Sequence, residues 1–593
     1  MQQPAAFYSS QIEKYQVESS RLRRKLLYIS LLRIASFVIV AWIAYRVIAN
    51  PSQPGIYALL GFSVLFLLLI RFFGGLRTSR MMAEKMLLIN QNEIALAGYG
   101  ANAFDSKGAR TSAAIFAADL DVFGPGSLYH RLNRTTTHHG AEHLSSTLEN
   151  PLLTRKEITA SQHAVNTMAA QPELCQLITA RGLTVSAGDA NINEVKPWIR
   201  SKGVLLHNKG IAIIRILLPL ITISTFIYYL DSDNPVYFGA SFIATWLVIA
   251  SHSKYIHSQH ALIGKKQAVL DQYASILRQF TLIKPESSEV LKRLHDIANE
   301  GNSSVKKLST LSSMFDQRLN MLVMFLLNSF LMYDLHCMIA LERWKEEHAA
   351  DFDRWVDAVG EIEKLVSLSM FAFAHPHFVV PQVKEGSPHI SAKSLAHPLI
   401  PPGESVSNDF FAGENDRLLL ITGSNMSGKS TFLRTVGINL LLAQCGAPVC
   451  ATSFEFTPMK ILSSIRISDS LQEHTSYFMA ELKRLRLIIE ELQTNQPTLV
   501  LIDEVLRGTN SNDKTYGSEA LIRKIIGYNA ITIFATHDLS LSVLEEQTGV
   551  VRNYCFESTI QNGELTFDYK LHAGVARNRN ATFLMQKMGI ISE

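Results

Sequence analysis

Long uncharged apolar runs alternate with polar stretches over the first half of the chain. Residues 34–45 and residues 55–70 carry no charged side chain, and an Asn-Pro-Ser-Gln-Pro break lies between them. With its apolar flanks, each run is roughly 20 residues long, which is enough to span a bilayer as a helix. We therefore predict a transmembrane helical hairpin over residues 26–73, after a polar segment over residues 1–25.

A second pair of apolar runs covers residues 211–230 and 235–250, joined by Asp-Ser-Asp-Asn. We predict a second transmembrane hairpin over residues 211–250; the alternative is a pair of buried core helices. Both short connections lack Lys and Arg, whereas cations flank the runs, so the positive-inside rule leaves the bulk of the chain in the cytoplasm. The flanking cations are Arg21, Arg23, Arg24, Lys25, Arg71, Arg77, Arg80, Arg200, Lys202, Lys209 and Lys254.

A third apolar run over residues 321–333 is shorter than the others and continues into polar residues, so we predict a buried or interfacial helix there, with a further span as the alternative. The remaining polar segments of the first two thirds have helical character. They are predicted to form cytoplasmic helical regions over residues 74–210 and 251–390.

From residue 391 the pattern changes to short apolar strands that alternate with helices, which is typical of a parallel sheet. An apolar run leads into Gly-Ser-Asn-Met-Ser-Gly-Lys-Ser at residues 423–430, a phosphate-binding loop between a strand and a helix. Glycine at both ends lets the loop aim backbone N–H groups at phosphates. The following helix is predicted to end at Gly446. The residues expected at the nucleotide are Gly423, Ser424, Asn425, Met426, Ser427, Gly428, Lys429, Ser430 and Thr431.

Carboxylates and a histidine follow two further predicted strands. The strand predicted over residues 498–503 ends in Asp503 and Glu504, and the strand predicted over residues 530–536 is followed by His537. Ligands gather at the carboxyl ends of such strands. Asp503 is expected in the Mg²⁺ shell, Glu504 as the group that polarises the attacking water, and His537 beside the γ-phosphate.

The loop residues complete this set. Lys429 is expected to reach the β- and γ-phosphates, and the Ser430 hydroxyl is expected to join Asp503 on Mg²⁺. The sequence thus predicts an ATP hydrolase that uses ATP and Mg²⁺, with Lys429, Glu504 and His537 as its catalytic residues.

Composition adds further constraints. The 593-residue chain is long enough for several domains, and its formal charge of +4 is too small to indicate nucleic acid by itself. The five cysteines form no C-x-x-C pair, which fits a reducing compartment. A mean hydropathy of +0.11 is high for a soluble multidomain ATPase and agrees with membrane segments.

Several stretches resemble the MutS family of ABC-type ATPases. Residues 424–437 (SNMSGKSTFLRTVG) resemble its phosphate loop, residues 499–521 its Walker B segment, and residues 533–546 its histidine switch. Residues 119–148 are similar to the start of its helical core and lever, and residues 360–369 to the helix that returns from the lever. The resemblance implies a multidomain fold: an α-helical core and lever, here with transmembrane hairpins, followed by an α/β P-loop ATPase domain over residues 391–593.

The resemblance also implies a homodimer that closes two nucleotides between its subunits. Ser476 matches the family's serine segment and is expected to contact the partner's ATP, although His474 and Leu506 stand where the family has glycine. His397, in the Ala-His-Pro-Leu at the start of the ATPase domain, is expected near the nucleotide.

Other departures bear on function. The family's mismatch-recognition domain and wedge are not found, and the second hairpin stands where relatives carry a DNA-gripping clamp. We expect an ATPase of a bacterial inner membrane that contacts lipid, with DNA binding or a repair-related role left open. The alternatives are an ABC-type transport subunit, disfavoured because no LSGGQ-like signature occurs, and a scaffold that only binds ATP.

Overall fold

The computed structural model describes residues 3–104, 112, 114–184, 191–424, 426–466, 477–506, 510–561 and 564–576. Helices fill the first two thirds of this part of the chain, and a domain of strands and helices follows. The prediction of a helical region followed by an α/β domain is therefore confirmed. One contiguous apolar core includes buried side chains of both parts, such as Leu365 and Leu441.

Two long antiparallel helices, α1 (Pro4–Ala49) and α2 (Gln53–Ala97), form the first hairpin. At 46 and 45 residues they are about 70 Å long, so they extend well beyond the predicted hairpin over residues 26–73. Helix α1 passes residue 25 unbroken. The amino-terminal half of α1 and the carboxyl-terminal half of α2 pack on the helical core, where Met86 and Ile89 are buried.

A buried ion pair fastens the first hairpin to the core. The guanidinium of Arg134 donates two parallel hydrogen bonds to the carboxylate of Glu93 on α2, at 3.0 Å from Nε to Oε1 and 2.9 Å from Nη2 to Oε2. Both side chains are almost fully buried. Such a pair is costly to break, because the remaining charge would be left without compensation in the interior.

Five short helices lead from the first hairpin to the second hairpin. They are α3 (Leu128–Leu132), α4 (His138–Glu149), α5 (Arg155–Ala169), α6 (Pro172–Thr184) and α7 (Lys196–Arg200). The second hairpin consists of α8 (Lys209–Ser232) and α9 (Val236–Ile263). Asp233, between the two helices, adopts a left-handed conformation with φ +53° that turns the chain.

The second hairpin has its polar side chains inside and its apolar side chains outside. The hydroxyls of Thr222 and Thr245 lie 3.2 Å apart between the two helices, and those of Thr225 and Ser241 lie 2.8 Å apart. Large apolar side chains on both helices are exposed. By length and composition, four helices of the described chain qualify as membrane spans: α1, α2, α8 and α9. The two helices Met321–Leu331 and Tyr333–Ala374 pass the same test together, as a bent pair, and would make a fifth candidate.

The chain returns from the second hairpin through four helices. They are α10 (Gln267–Phe280), α11 (Glu289–Asp316), α12 (Met321–Leu331) and α13 (Tyr333–Ala374). Helices α12 and α13 meet at an 84° bend, where Met332 takes a left-handed conformation. The predicted apolar helix near residues 321–333 thus exists as α12, but its apolar side chains are mostly exposed rather than buried.

The C-terminal domain is built on two sheets. Its strands are β1 (Gln382–Val383), β2 (Ile390–Leu395), β3 (Asn408–Ala412), β4 (Leu418–Gly423), β5 (Ser453–Phe456), β6 (Lys460–Ser464), β7 (Thr498–Asp503), β8 (Ala530–Thr536), β9 (Val551–Gln561) and β10 (Glu564–Ala573). Its helices are α14 (Lys429–Gln444), α15 (Tyr477–Leu492), α16 (Ser511–Ile525) and α17 (Leu544–Thr548). The smaller sheet has the order β1-β5-β2-β3 and the larger β10-β9-β4-β8-β7-β6.

The larger sheet sets the position of the site. Strand β8 lies between β4 and β7, and all three are parallel, with Thr422 beside Thr536 and Asp503 beside Ala535. Their carboxyl ends therefore meet at one edge. Gly446, just after α14, has φ +83°, as expected of the glycine that ends this helix.

We predict that Arg134→Met destabilises the protein by about 3–5 kcal/mol, because Glu93 is left buried and unpaired. The double substitution Glu93→Met with Arg134→Met should recover most of that loss. Thermal unfolding of detergent-purified protein measures the loss of stability in the single variant and its recovery in the double variant. If the single and double variants unfold at the same temperature, the ion pair does not have the role described.

Candidate active site

The phosphate-binding loop connects β4 to α14. Gly423 and Gly428 have φ +153° and +110°, and a Cβ at Gly423 would lie 2.8 Å from the Phe556 carbonyl oxygen. Glycine is therefore required at both ends. The hydroxyl of Ser427 is buried and has no hydrogen-bond partner among the described residues, which suits a loop that takes a phosphate oxygen. Asn425 lies outside the described residues.

Lys429, the first residue of α14, is buried inside this loop. Its ammonium donates hydrogen bonds of 2.9 Å to the carbonyl oxygens of Gly423 and Ser424, and it lies 3.4 Å from Nε2 of His537. The loop thus holds a positive charge at the amino end of a helix, the arrangement that attracts phosphate.

Two oxygen donors face each other beside the loop. Ser430 Oγ donates to Asp503 Oδ2 at 2.5 Å, and Asp503, at the end of β7, is almost fully buried. A hydroxyl and a carboxylate fit Mg²⁺, which takes few protein ligands and completes its shell with phosphates and water. The described residues include no group of three or more His, Cys, Asp or Glu that could hold a metal by themselves.

Glu504 and His537 form a close pair at the same edge. His537 Nε2 lies 2.5 Å from Glu504 Oε1. Glu504 has the unusual φ of +53°, and its N–H donates to the Ala535 carbonyl at 2.9 Å. A left-handed non-glycine residue costs on the order of 1 kcal/mol, and such strain is concentrated at functional sites. The structure brings together Lys429, Ser430, Asp503, Glu504 and His537.

Glu481 on α15 belongs to this neighbourhood, although no sequence motif assigned it a role. Its fully buried carboxylate accepts a hydrogen bond of 2.7 Å from the Leu506 N–H. Leu506 has φ +59°, a left-handed conformation that glycine adopts more readily than a side chain such as leucine. Ser476, the residue expected to reach the partner's ATP, lies outside the described residues.

A cavity of about 250 Å³ adjoins the loop and offers room for the nucleotide base. Its lining includes His397 and Thr431, both expected at the nucleotide, and the aromatic rings of Phe432, Phe556 and Tyr569. Aromatic faces suit a stacked purine. The sequence did not indicate Phe556 or Tyr569, because they come from β9 and β10, far along the chain.

Burial lowers the pKa of His397 to about 4. The imidazole is therefore neutral at physiological pH, and its Nδ1 accepts a hydrogen bond from the Leu399 N–H at 3.2 Å. A neutral ring in an aromatic cavity can stack on a base without adding charge.

The helical core reaches the site through two aspartates. Asp119 is buried and accepts hydrogen bonds from Ser463 Oγ at 2.6 Å and from the Arg466 N–H at 2.8 Å. Asp121 pairs with Arg466 at 2.6 Å and with Arg434 of α14 at 3.4 Å. The helix after the phosphate loop is thus tied to the start of the helical core.

Comparison with known proteins agrees with this geometry. Residues 419–589 match the family described as MutS domain V. The chain is 31% identical over 254 residues to the DNA mismatch repair protein MutS of Exiguobacterium sp., covering 41% of this chain and 29% of that protein. It is 30% identical over 259 residues to the human MutS protein homolog 4, covering 42% and 27% respectively.

These matches show that the C-terminal part of the chain is similar to MutS proteins. A further relative, the DNA mismatch repair protein MutS of Chloroflexus aurantiacus, is 31% identical over 254 residues, covering 40% of this chain and 25% of its own length. The chain spans less than a third of the length of these curated relatives. The shared part contains domain V, which supports an ATPase in general terms.

We predict that Glu504→Gln lowers ATP turnover by roughly tenfold or more while ATP stays bound, because the amide cannot accept a proton from water. Steady-state turnover and retained nucleotide measure the two effects. Glu490→Gln, on the exposed face of α15, is the matched control and should leave both unchanged. Wild-type turnover in Glu504→Gln would refute the assignment.

We predict that His397 makes folding stability fall in weak acid. Its folded pKa of about 4 lies below the unfolded value of about 6.5, so its contribution is full above pH 6.5 and is lost as pH falls towards 4. Between pH 7.5 and 5, the unfolding temperature of His397→Asn should fall less than that of wild type. The control His207→Asn, at an exposed histidine, should follow wild type. Parallel curves for wild type and His397→Asn would contradict the prediction.

Proposed function

We propose that this protein is a membrane-anchored, MutS-like ATPase that binds and hydrolyses ATP with Mg²⁺ as a homodimer. One observation carries the proposal: beside one phosphate loop, Ser430 is hydrogen-bonded to Asp503, and Glu504 is in contact with His537. A glycine-rich turn that binds nothing would have no need of these partners.

In the proposed reaction, the loop N–H groups and the Lys429 ammonium bind the phosphates of ATP. Ser430 and Asp503 hold Mg²⁺, which neutralises charge on the phosphates. Glu504 orients the attacking water and accepts its proton. His537, within hydrogen-bonding reach of both Glu504 and Lys429, keeps the carboxylate directed at that water and completes the polar wall around the γ-phosphate.

Dimerisation is part of the proposal, because ABC-type ATPases close their nucleotides between two subunits. Met426, at the apex of the phosphate loop, is 86% exposed. The proposal places this side chain in the interface that would form over the nucleotide.

Membrane anchoring is supported by the second hairpin. In water, helices bury apolar side chains and expose polar ones, whereas over residues 212–248 α8 and α9 bury the hydroxyls of Thr222, Ser241 and Thr245 and expose large apolar side chains. Hydroxyls between helices and apolar side chains outside are typical of helices packed in lipid. We propose that both hairpins enter the membrane, in a bacterium the inner membrane, with the rest of the described chain in the cytoplasm.

A DNA-related role is the further part of the proposal, since the matched relatives include proteins named for DNA mismatch repair. The proposal does not include direct mismatch recognition; residues 3–97 form the first hairpin. The alternative is an ABC-type ATPase that acts on a membrane substrate or a protein partner. The two hairpins are the observation that favours it.

We predict magnesium-dependent ATP turnover by the full chain in nanodiscs, stimulated by duplex or branched DNA at moderate salt and not selectively by a mismatch. Lys429→Ala should abolish basal and stimulated turnover alike, and the control Lys524→Ala, at an exposed lysine of α16, should abolish neither. Turnover indifferent to every DNA would favour the alternative. No turnover in any condition would refute the ATPase.

A further inference from the structure

Helix α12 is an apolar helix with its polar side chains turned inwards. Asn328 and Ser329 are fully buried, whereas Met321 is 80%, Leu322 69% and Phe325 47% exposed. A helix at a water surface would show the opposite distribution. This inversion matches that of the second hairpin, against which α12 packs.

The contacts place α12 against the half of the second hairpin that ends at its tip. Phe325 stacks on Trp246 of α9, with ring centroids 5.6 Å apart. Further along α12, Phe330 packs against Phe226 and Phe238 at 5.4 and 6.4 Å. Phe238 lies in the first turn of α9, close to the tip of the hairpin. Ser329, beside Phe330, accepts a hydrogen bond from Trp246 Nε1 at 3.1 Å, so α12 lies across the half of the hairpin that ends at its tip. A bilayer that holds the hairpin therefore also holds α12.

The ends of α12 satisfy their own backbone groups. The Asn320 side chain accepts hydrogen bonds from the N–H groups of Leu322 and Val323. At the other end, the Met332 N–H donates to the Asn328 carbonyl at 3.1 Å, and the Asn328 side chain accepts a hydrogen bond of 2.9 Å from the Asp334 N–H at the start of α13. Satisfied backbone groups are a condition for placing a helix end in or near hydrocarbon.

A buried ion pair joins the two ends of this segment. Arg318, before α12, lies 3.3 Å from Asp334 in the first turn of α13, and both side chains are largely buried. The chain therefore leaves the helical body and returns to it at nearly the same place. An 11-residue helix is about 16 Å long, roughly half of the hydrocarbon thickness, so it cannot cross the bilayer.

We propose that α12 is a re-entrant membrane helix that dips into the acyl chains beside the second hairpin and leaves on the cytoplasmic side. The inference rests on the proposal that this hairpin is in the membrane. The partner of the exposed face of α12 is the hydrocarbon of phospholipids. The helical body, at the point where α11 ends and α13 begins, is thereby inserted into the lipid by α12 in addition to being anchored by the second hairpin.

The test attaches the environment-sensitive dye NBD to cysteines introduced one at a time into the full chain in phosphatidylcholine–phosphatidylglycerol nanodiscs. The three matched positions are exposed leucines: Leu322 on α12, Leu220 on α8 and Leu282 in the loop after α10. The native cysteines are buried or half-buried, and the unsubstituted chain gives the background labelling. Acyl-chain doxyl lipid is the quencher.

The proposal expects NBD at Leu322→Cys to emit at shorter wavelength than at Leu282→Cys and to be quenched as strongly as at Leu220→Cys. Quenching at Leu220→Cys with none at Leu322→Cys would overturn the re-entrant helix and leave the membrane anchor standing. A blue-shifted but unquenched signal at Leu322→Cys would overturn it in favour of a second copy of the chain. No quenching at either position would refute the anchor itself. Leu326→Cys repeats the test one turn later.

Discussion

The structure depends on buried carboxylates of α13, a 42-residue helix that passes through the whole helical body. Glu363 accepts hydrogen bonds from the N–H and hydroxyl groups of Thr136 and Thr137, at 2.5–3.1 Å. Nearer the second hairpin, Glu342 accepts three backbone N–H groups of residues 204–206, at 2.7–2.9 Å. A buried carboxylate is stable only with such a full set of donors. These contacts attach both the helical core and the base of the second hairpin to α13.

The carboxyl end of α13 continues this connection into the ATPase domain. The rings of Phe371, His375 and Phe378 pack together, and Val379 pairs with Val449 just after α14. Asp121, at the start of the helical core, also binds α14, through its ion pair with Arg434. The site and the second hairpin of one protomer are therefore parts of one packed body. In the proposed dimer, closure over ATP would turn two such bodies, and their hairpins would move with them.

Local signals made much of the site predictable. The strands over residues 498–503 and 530–536 have the predicted bounds, because each is a continuous apolar run ended by polar residues. Contacts between distant segments were not predictable: Glu481, Asp119 and Phe556 have ordinary neighbours in sequence and acquire their roles only through tertiary packing. The lengths of α1 and α2 were missed for a different reason. The change between polar and apolar residues near 25 and 73 marks where these helices leave the core, and the helices continue through it.

The most direct test of the central claim is the distance between second hairpins across the dimer. A spin label at Leu230→Cys, an exposed position near the hairpin tip, reports it by double electron–electron resonance in nanodiscs. The Glu504→Gln background traps ATP and Mg²⁺. We expect the distance distribution to shift between the nucleotide-free and ATP-bound states. An unchanged distribution in a dimer with ATP bound would contradict the claim that this site moves the membrane hairpins.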